Sequence, residues 1–382
     1  MHSYVDADDL LRNSIKEFVK KEVEPIRMKI DREDYFPVDV FKEMGKLGYL
    51  GVTIPQEYGG SDAGYITQAV IEEELGYSSP SLALSYGAHS NLCLDNVYRN
   101  GSQAIREKFV PKLASGEWIG SLCLTEPGSG SDALAMHTTL HDHGGRIFLT
   151  GSKTFITNGP YADLFLVHAK DGDSYTSVIV LSSDKGFERG KKFEKMGMRG
   201  SPTGELFFND IDIGNERIVG KRGDGKRIIM SGLNSERVIL AFIFVGLARR
   251  ALDEAVKYSS ERKQFSLPIS EFELIQEKLA YMYTKYETSR ILAYRALEKL
   301  ESSRDDPLYA AAAIMHASES AEYIAREAIQ IFGGYGYIKD TGIEMFLRDA
   351  ILGQIGAGTT EIRKRIIAKS LIRKYKLGED IN

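Results

Sequence analysis

One carboxylate in an apolar setting is the first candidate for chemistry. Residues 225–259 carry apolar side chains at helical spacing, and Glu236 shares its face with Ile229, Leu233, Leu240 and Ile243. Burial disfavours the charged form and raises the pKa of a carboxyl group, and a carboxylate tuned toward neutrality is an effective general base. The alternative is a structural Glu that pairs with Arg237 or with a distant cation.

A glycine- and serine-rich turn at residues 125–132 is the second candidate. Its sequence, TEPGSGSD, leaves backbone N–H groups uncovered and adds small hydroxyls, which suits a phosphate or an aromatic ring held close to the chain. A turn without a ligand is the simpler interpretation. Neither G-x-G-x-x-G nor G-x-x-x-x-G-K-[ST] occurs, so the Rossmann and Walker signatures are absent from the sequence.

Two further small-residue turns lie near the C-terminus. QIFGGYGY at 330–337 follows a helical segment, and a C-terminal glycine cap explains one of its three glycines. IGAGTTEIR at 355–363 begins another helix, with Thr359 or Thr360 as the cap and Glu361 in the first turn. Capping is the simple interpretation of both turns. A ligand against the backbone, or an anion at the helix N-terminus, is the alternative.

The other chemically active residues form weaker patterns. Arg262, in ERKQF at 261–265, either ends a helix or clamps a pyrophosphate with its planar guanidinium group. His141 and His143 flank Asp142, but no further residue completes a set of metal ligands. The remaining histidines have no partner pattern, so the sequence predicts neither a metal site nor a catalytic triad.

Composition places the chain among ordinary soluble globular proteins, with 382 residues, 43% hydrophobic and 27% charged, and a net charge of -5. The negative charge argues against a nucleic-acid partner, and no run of about 18 apolar residues predicts a membrane span. Cys93 and Cys123 lie in apolar stretches, as reduced core cysteines do. Because the N-terminal segment resembles neither a signal nor a transit peptide, we expect a cytoplasmic protein.

The hydrophobic period divides the chain into three regions. Residues 1–118 show helical spacing, residues 119–224 contain short β-rich segments between turn signals, and helical spacing returns over residues 225–382. The middle region predicts a small barrel or sandwich, and the last predicts an up-and-down four-helix bundle. We therefore expect a mainly α fold with a β insert (α+β), in three domains with these bounds.

In order and spacing, these motifs resemble the acyl-CoA dehydrogenases over nearly the whole chain. The matching motifs are LTEPGSGSD (124–132), FITNG (155–159), MGMRGSPTGEL (196–206), ERKQF (261–265), QIFGGYGY (330–337) and IGAGTTEIR (355–363). The resemblance implies a helical N-terminal domain, a β-domain and a four-helix bundle. It also implies FAD-dependent α,β-desaturation of an acyl-CoA, in which a carboxylate removes the α-proton and the β-hydrogen leaves as hydride to flavin N5.

The chain departs from the family's common pattern at the base. Most members carry the base in a Y-E-G-T motif near the C-terminus, where this chain has Gly356-Ala357-Gly358-Thr359. A minority, the isovaleryl-CoA dehydrogenases among them, place a Glu on the bundle helix in an L-E-R context, which Glu236 and Arg237 resemble. The resemblance therefore implies that Glu236 is the base and that the Ala357 N–H donates to the thioester carbonyl.

The resemblance also implies which residues hold FAD. Residues 122–131 and 155–157 would line the flavin ring and pyrophosphate, with Phe155 in place of the more usual Trp. Arg262, Phe265 and residues 330–334 would hold the ADP half of an FAD from the neighbouring subunit, and Glu361 replaces the more usual Gln. The implied contacts are Leu122, Leu124, Thr125, Gly130, Ser131, Phe155, Ile156, Thr157, Arg262, Phe265, Gln330, Gly333, Gly334, Thr359 and Glu361.

Substrate and partners follow from the same resemblance. Gly356 stands where straight-chain enzymes have a bulky Tyr, and Leu84 matches a pocket-lining residue of isovaleryl enzymes, which implies a short branched acyl-CoA such as isovaleryl-CoA. An electron-transfer flavoprotein as electron acceptor and a homotetramer with shared sites are also implied. The implied substrate contacts are Leu84, Ser131, Asn234, Arg237, Gly356, Ala357 and Gly358.

Three other functions stay open at this point. The substrate could be another acyl-CoA with a straight, longer or alicyclic chain. The same fold could serve an oxidase or a flavin monooxygenase that uses oxygen. The chain could also be a non-catalytic relative that binds flavin or acyl-CoA, which the missing C-terminal Glu would favour if Glu236 were absent.

Overall fold

Helices form the first part of the chain. The computed structural model describes residues 9–302 and 306–379. Two π-helical turns, Val19–Val23 and Ala88–Asp95, continue α1 and α5, and 3-10 turns lie at Glu24–Ile26 and Gln56–Tyr58. The α-helices of this part are α1 (Asp9–Phe18), α2 (Arg27–Arg32), α3 (Val38–Lys46), α4 (Gly64–Ser78), α5 (Pro80–Gly87), α6 (Asn96–Asn100) and α7 (Gln103–Ala114).

A local signal fixes the start of α5, the helix on which much of the site depends. Ser79 has an extended backbone, and its Oγ accepts a hydrogen bond from the Leu82 N–H at 3.4 Å. Pro80 occupies the first helical position, where its missing N–H is not needed and its fixed φ suits the helix. A single residue, Ser79, therefore separates the end of α4 from the start of α5.

The middle part is one eight-stranded sheet in the order β6-β7-β3-β2-β4-β5-β8, with β1 parallel to β4. Most side chains of the short strands β2 and β6 are partly or fully exposed, whereas β4 and β5 are largely buried. A 3-10 turn, Asn215–Arg217, lies between the last two strands. The strands are β1 (Gly120–Cys123), β2 (Thr139–His143), β3 (Arg146–Thr157), β4 (Leu164–Asp171), β5 (Ser174–Leu181), β6 (Phe187–Lys192), β7 (Thr203–Ile213) and β8 (Ile218–Val219).

Long helices return in the last part. Helix α10 packs against α8, α9, α11 and α12, and α4 of the N-terminal part packs along α8. A small hairpin, Lys263–Gln264 with Leu267–Pro268, and a 3-10 turn, Ile269–Glu271, connect α8 to α9, and a second 3-10 turn, Gly333–Gly336, follows α10. The helices are α8 (Gly225–Glu261), α9 (Glu273–Ser302), α10 (Pro307–Phe332), α11 (Ile343–Leu352) and α12 (Thr360–Leu377).

Helix α8 is the core element of the molecule. It is the one helix in the described ranges that is long and apolar enough to cross a membrane, but 78% of its most apolar stretch is buried by the rest of the chain, as in a core helix. It touches α4 closely, since a Cβ at Gly76 would lie 2.5 Å from the Ile243 carbonyl oxygen. The fold is therefore mainly α with a β insert, as the sequence predicts.

Candidate active site

Glu236 lies on the apolar face of α8, at a point where that face is only partly buried. Ile229 and Ile243 on that face are buried, whereas Leu233 and Glu236 are partly exposed. No hydrogen bond or ion pair joins the Glu236 carboxylate to any residue that the structure describes. Desolvation by the surrounding protein raises the pKa of Glu236 to about 7, although the positive charges of Arg237 and Arg363 act in the opposite direction. The carboxyl group thus titrates near neutrality.

Arg237 does not form the simple ion pair with Glu236 that was the alternative from sequence. Its Nε donates to the Ala357 carbonyl oxygen at 3.1 Å, and its Nη1 donates to Asn234 Oδ1 at 3.1 Å. Asn234 therefore orients this arginine, and the arginine connects α8 to the turn between α11 and α12. The contact places the sequence-predicted residues of this turn, Gly356, Ala357 and Gly358, beside the helix turn that carries Glu236.

Arg363, on α12, holds the same turn from inside the protein. The side chain is fully buried; its Nη1 donates to the Gly353 carbonyl oxygen at 2.5 Å, and its Nη2 donates to the Gly356 carbonyl oxygen. Burial, and then the charge of Arg237, lower the pKa of this guanidinium to about 10. The sequence gives no sign that Arg363 is buried, because its neighbours Lys364 and Arg365 are also charged.

The two arginines leave the Ala357 N–H available as a donor. The Gly356 carbonyl points at Arg363, and in a trans peptide the following N–H points the opposite way. Within the described residues this N–H has no acceptor. Ala357 also has a φ of 54°, in the left-handed region that non-glycine residues rarely adopt, and such strain persists where the surroundings hold it.

Helix α5 joins this turn to the sheet. It packs against both α8 and α11, and its Leu84 is partly exposed. The adjacent Ser85 carbonyl oxygen accepts a hydrogen bond from Asn158 Nδ2 at 2.9 Å, and Ser85 Oγ donates to Ser201 Oγ at 3.0 Å. Because Asn158 directly follows Thr157, the end of β3 meets α5 beside the cleft.

A buried ion pair supports the glycine-rich turn at 125–132. Lys153, with no exposed surface, donates to Glu126 Oε1 at 2.9 Å and to the Leu124 carbonyl oxygen at 2.9 Å. Glu126 also accepts hydrogen bonds from the N–H groups of His137 and Thr138. The turn is tied directly to β3, since the Thr154 N–H donates to the Thr125 carbonyl oxygen at 2.9 Å.

The surface beside that turn contains the residues that the family resemblance assigns to the flavin. Phe155 is 67% exposed and has a φ of 56°, and the hydroxyls of Thr125 and Thr157 make no hydrogen bond within the described part of the chain. A Cβ added at Gly130 would meet no atom within 4 Å, so the backbone there faces open space, with Ser131 exposed beside it. Leu122 is half-buried, and Leu124 and Ile156 are buried below the surface.

Three of the remaining predicted FAD residues, Arg262, Gly333 and Gly334, line a separate groove. Arg262 follows Glu236 by 26 residues on the same helix, which is about 39 Å along its axis. Its guanidinium lies 5.9 Å from the Tyr335 ring centre, beside a groove of about 450 Å³ whose floor includes the stacked rings of Tyr258 and Phe332. Phe265 is 91% exposed. Gln330 is also exposed, and Gly333 and Gly334 present bare backbone to open space.

The start of α12 follows the simpler interpretation. Thr359 is the cap, and its hydroxyl accepts a hydrogen bond from the Ile362 N–H at 3.4 Å. Glu361 is exposed, and its own N–H and the Thr359 hydroxyl lower the pKa of its carboxyl group. The structure therefore brings two groups of predicted residues together around the cleft, and leaves Arg262, Phe265 and residues 330–334 far from it in the same chain.

Comparison with known proteins assigns this arrangement to a family. Models of the N-terminal, middle and C-terminal domains of acyl-CoA dehydrogenase match residues 6–117, 121–211 and 223–372. A mitochondrial isovaleryl-CoA dehydrogenase from Solanum tuberosum is 39% identical over 376 residues, which cover 97% of this chain and 91% of the relative. The chain belongs to the acyl-CoA dehydrogenase family. A 2-methylacyl-CoA dehydrogenase from the same plant is 38% identical, with 96% and 91% coverage.

Solved structures of family members have the same fold. Butyryl-CoA dehydrogenase from Megasphaera elsdenii superposes with a TM-score of 0.93 at 34% identity, covering 96% of this chain and 98% of its own. A chain from a structure of the electron transferring flavoprotein of Acidaminococcus fermentans gives the same values. An acyl-CoA dehydrogenase complexed with FAD from Bacillus anthracis has a TM-score of 0.92 at 32% identity, with coverage of 97% and 67%.

Proposed function

We propose that this acyl-CoA dehydrogenase desaturates a short branched acyl-CoA, with Glu236 as the base. The observation that supports the proposal best is a carboxyl group of neutral pKa placed beside a turn with a free N–H donor. A base acts best when its pKa lies near the working pH, because it is then both ionised and able to hold a proton. Glu236 removes the α-proton of the thioester.

The Ala357 N–H makes that proton removable. It donates to the thioester carbonyl oxygen, on which negative charge develops as the α-proton leaves. Arg363 and Arg237 fix the peptide units on either side of Ala357, so the donor does not need to reorganise during the reaction. The positive charges of both arginines also stabilise the ionised form of Glu236.

The residues of the sheet fit an FAD. Thr125 and Thr157 offer unpaired hydroxyls, Phe155 offers an exposed ring, and Gly130 and Ser131 offer uncovered backbone at the turn. An FAD held there would supply a hydride acceptor for the β-hydrogen of the substrate. The groove lined by Arg262, Gly333 and Gly334 would hold the ADP half of a second FAD, with Phe265, Gln330, Thr359 and Glu361 as further contacts.

Three features support a short branched acyl group. Gly356 has no side chain, and a Cβ there would find its nearest neighbour, the Leu352 carbonyl oxygen, at 3.5 Å. Leu84 provides an apolar wall on α5. The relatives from Solanum tuberosum are named for isovaleryl-CoA and 2-methylacyl-CoA, which differ in the position of the branch. We favour isovaleryl-CoA, with the pocket contacts Leu84, Ser131, Asn234, Arg237, Gly356, Ala357 and Gly358.

The partners of the reaction are part of the proposal. An electron-transfer flavoprotein would take the electrons, and the similarity to a chain in a structure named for such a flavoprotein supports this choice. A homotetramer would supply the separated Arg262 groove from a neighbouring subunit. A cytoplasmic location stays a prediction.

Product analysis over a thioester panel tests the function. The purified protein is incubated with isovaleryl-, 2-methylbutyryl-, butyryl- and octanoyl-CoA and an artificial electron acceptor, and the acyl-CoA products are identified by mass. The proposal predicts loss of two hydrogens, fastest from isovaleryl-CoA. Faster conversion of another thioester would replace the substrate, and the absence of a desaturated product from all four would reject the function.

A further inference from the structure

Unpaired buried polar atoms concentrate at one place outside the catalytic residues. Among the described residues, both carboxyl oxygens of Glu72, Nε2 of Gln68 and Oδ1 of Asn91 are buried without a hydrogen-bond partner. Glu72 has no exposed surface. Buried polar groups in proteins are nearly always paired, so a cluster of unpaired groups calls for a functional explanation.

The atoms form one cluster between α4 and the π-helical turn after α5. Asn91 Nδ2 donates to Gln68 Oε1 at 3.3 Å and to Ser235 Oγ at 2.9 Å. Gln68 and Glu72 lie one turn apart on α4, on the same face. The cluster is thus connected through Ser235 to the turn of α8 that carries the proposed base.

Glu72 reaches the face of α5 that borders the cleft. Leu84 and Gly87 are one helical turn apart and are both partly exposed, whereas the residues between them are buried. A Cβ added at Gly87 would lie only 2.5 Å from Glu72 Oε1. The Glu72 carboxyl group therefore occupies the space that a side chain at position 87 would take, next in line after Leu84.

We propose that Glu72 closes the far end of the acyl cleft and is the residue that restricts this enzyme to short acyl groups. This inference rests on the proposed function. An acyl chain that extends past Leu84 would meet the carboxyl group and would have to displace it. The Glu72 side chain is thus a polar plug, and burial without a counter-ion raises the pKa of its carboxyl group well above the usual range.

A set of Glu72 variants tests the proposal with FAD-loaded protein. Glu72→Ala removes the plug, and Glu72→Gln keeps its size and polarity as the matched control. The ratio of kcat/KM for octanoyl-CoA to that for isovaleryl-CoA should rise at least about tenfold in Glu72→Ala and stay within about threefold of wild type in Glu72→Gln, since pocket volume discriminates by such factors. If Glu72→Ala does not fold, Glu72→Ser opens the same space.

Binding provides a second readout that does not depend on turnover. In a Glu236→Gln background, calorimetric titration should show tighter octanoyl-CoA binding when Glu72 is also changed to Ala, with isovaleryl-CoA binding little changed. An unchanged ratio in a folded Glu72→Ala enzyme, or an equal shift in Glu72→Gln, would overturn the proposal alone. A wild-type protein that desaturates no acyl-CoA would overturn the proposed function, and this inference with it.

Discussion

At the scale of single residues, the electrostatics of the cleft depend on three side chains. Burial pushes the pKa of Glu236 upward, and the charges of Arg237 and Arg363 push it downward, so that the result is about 7. Neither arginine bonds to the carboxylate; both bond to backbone carbonyls of the neighbouring turn. The same two charges therefore set the geometry of the donor and the proton affinity of the base.

The first prediction concerns pH. Because the proposed base Glu236 would act in its ionised form, kcat/KM should rise with pH through about 7 as the carboxyl group loses its proton. Arg363→Gln removes a positive charge that favours the ionised form, so this rise should move to higher pH, by about one unit. Arg365→Gln, on the exposed side of the same helix, is the control and should leave the profile in place. An unshifted profile in an active Arg363→Gln enzyme would contradict the coupling.

The second prediction concerns the backbone at Ala357. Its φ of 54° is accessible to glycine and unfavourable for a β-branched residue. Ala357→Gly should keep kcat within about threefold of wild type, whereas Ala357→Val should lower it at least about tenfold, in line with a strain of about 1–3 kcal/mol. Steady-state kinetics and melting temperatures measure both effects. Equal activity in the two variants would show that the turn does not position the donor.

At the scale of elements, the glycine-rich turn depends on one buried ion pair. Lys153→Met leaves Glu126, which is only 5% exposed, without its cation. Breaking a buried pair in this way should cost about 3–5 kcal/mol of stability, and the loosened turn should release FAD. Thermal unfolding and the flavin content after gel filtration measure these losses. Lys170→Met, on the exposed part of β4, is the control. Full FAD retention with wild-type stability would contradict the role of the pair.

Much of the fold can be predicted from the sequence, because the spacing of apolar residues within each segment indicates a helix or a strand. The change from a period of 3.6 to one of 2 and back predicts the helix–sheet–helix order, and the apolar spacing around Glu236 predicts α8 almost to its ends. The domain boundaries at 118 and 224 stay predictions. The π-helical turn Ala88–Asp95 could not be predicted, because its sequence continues the helical pattern of α5.

The burial of Arg363 and of Lys153 could not be predicted from the sequence. Arg363 is buried by contacts with Gly353 and Gly356, which come from the fold of three helices and not from the charged sequence around it. Lys153 is likewise buried through its pairing with Glu126, 27 residues away in sequence. Long-range contacts of this kind leave no periodic signal. The proposal that Glu236 is the base depends both on its apolar surroundings in the sequence and on the family resemblance.

At the scale of the whole molecule, the distance between the cleft and the Arg262 groove predicts shared sites. Glu236→Gln lacks the base and Arg262→Ala weakens the groove, so each variant alone should have little activity. When a Glu236→Gln chain pairs with an Arg262→Ala chain, one of their two shared sites combines an intact Glu236 with an intact Arg262. The other site carries both defects. Co-expression should therefore restore up to about a quarter of wild-type activity. No recovery in verified mixed oligomers would place each site within one chain.

The proposal that Glu236 is the base is tested most directly by the rate at which isovaleryl-CoA bleaches the flavin in the absence of oxygen. This rate is measured by stopped-flow absorbance in wild type and in Glu236→Gln. We expect rapid bleaching in wild type and a rate at least about 100-fold lower in Glu236→Gln, because this variant loses only the proposed α-proton acceptor while FAD stays bound. Bleaching at a near wild-type rate in FAD-loaded Glu236→Gln would contradict Glu236 as the base.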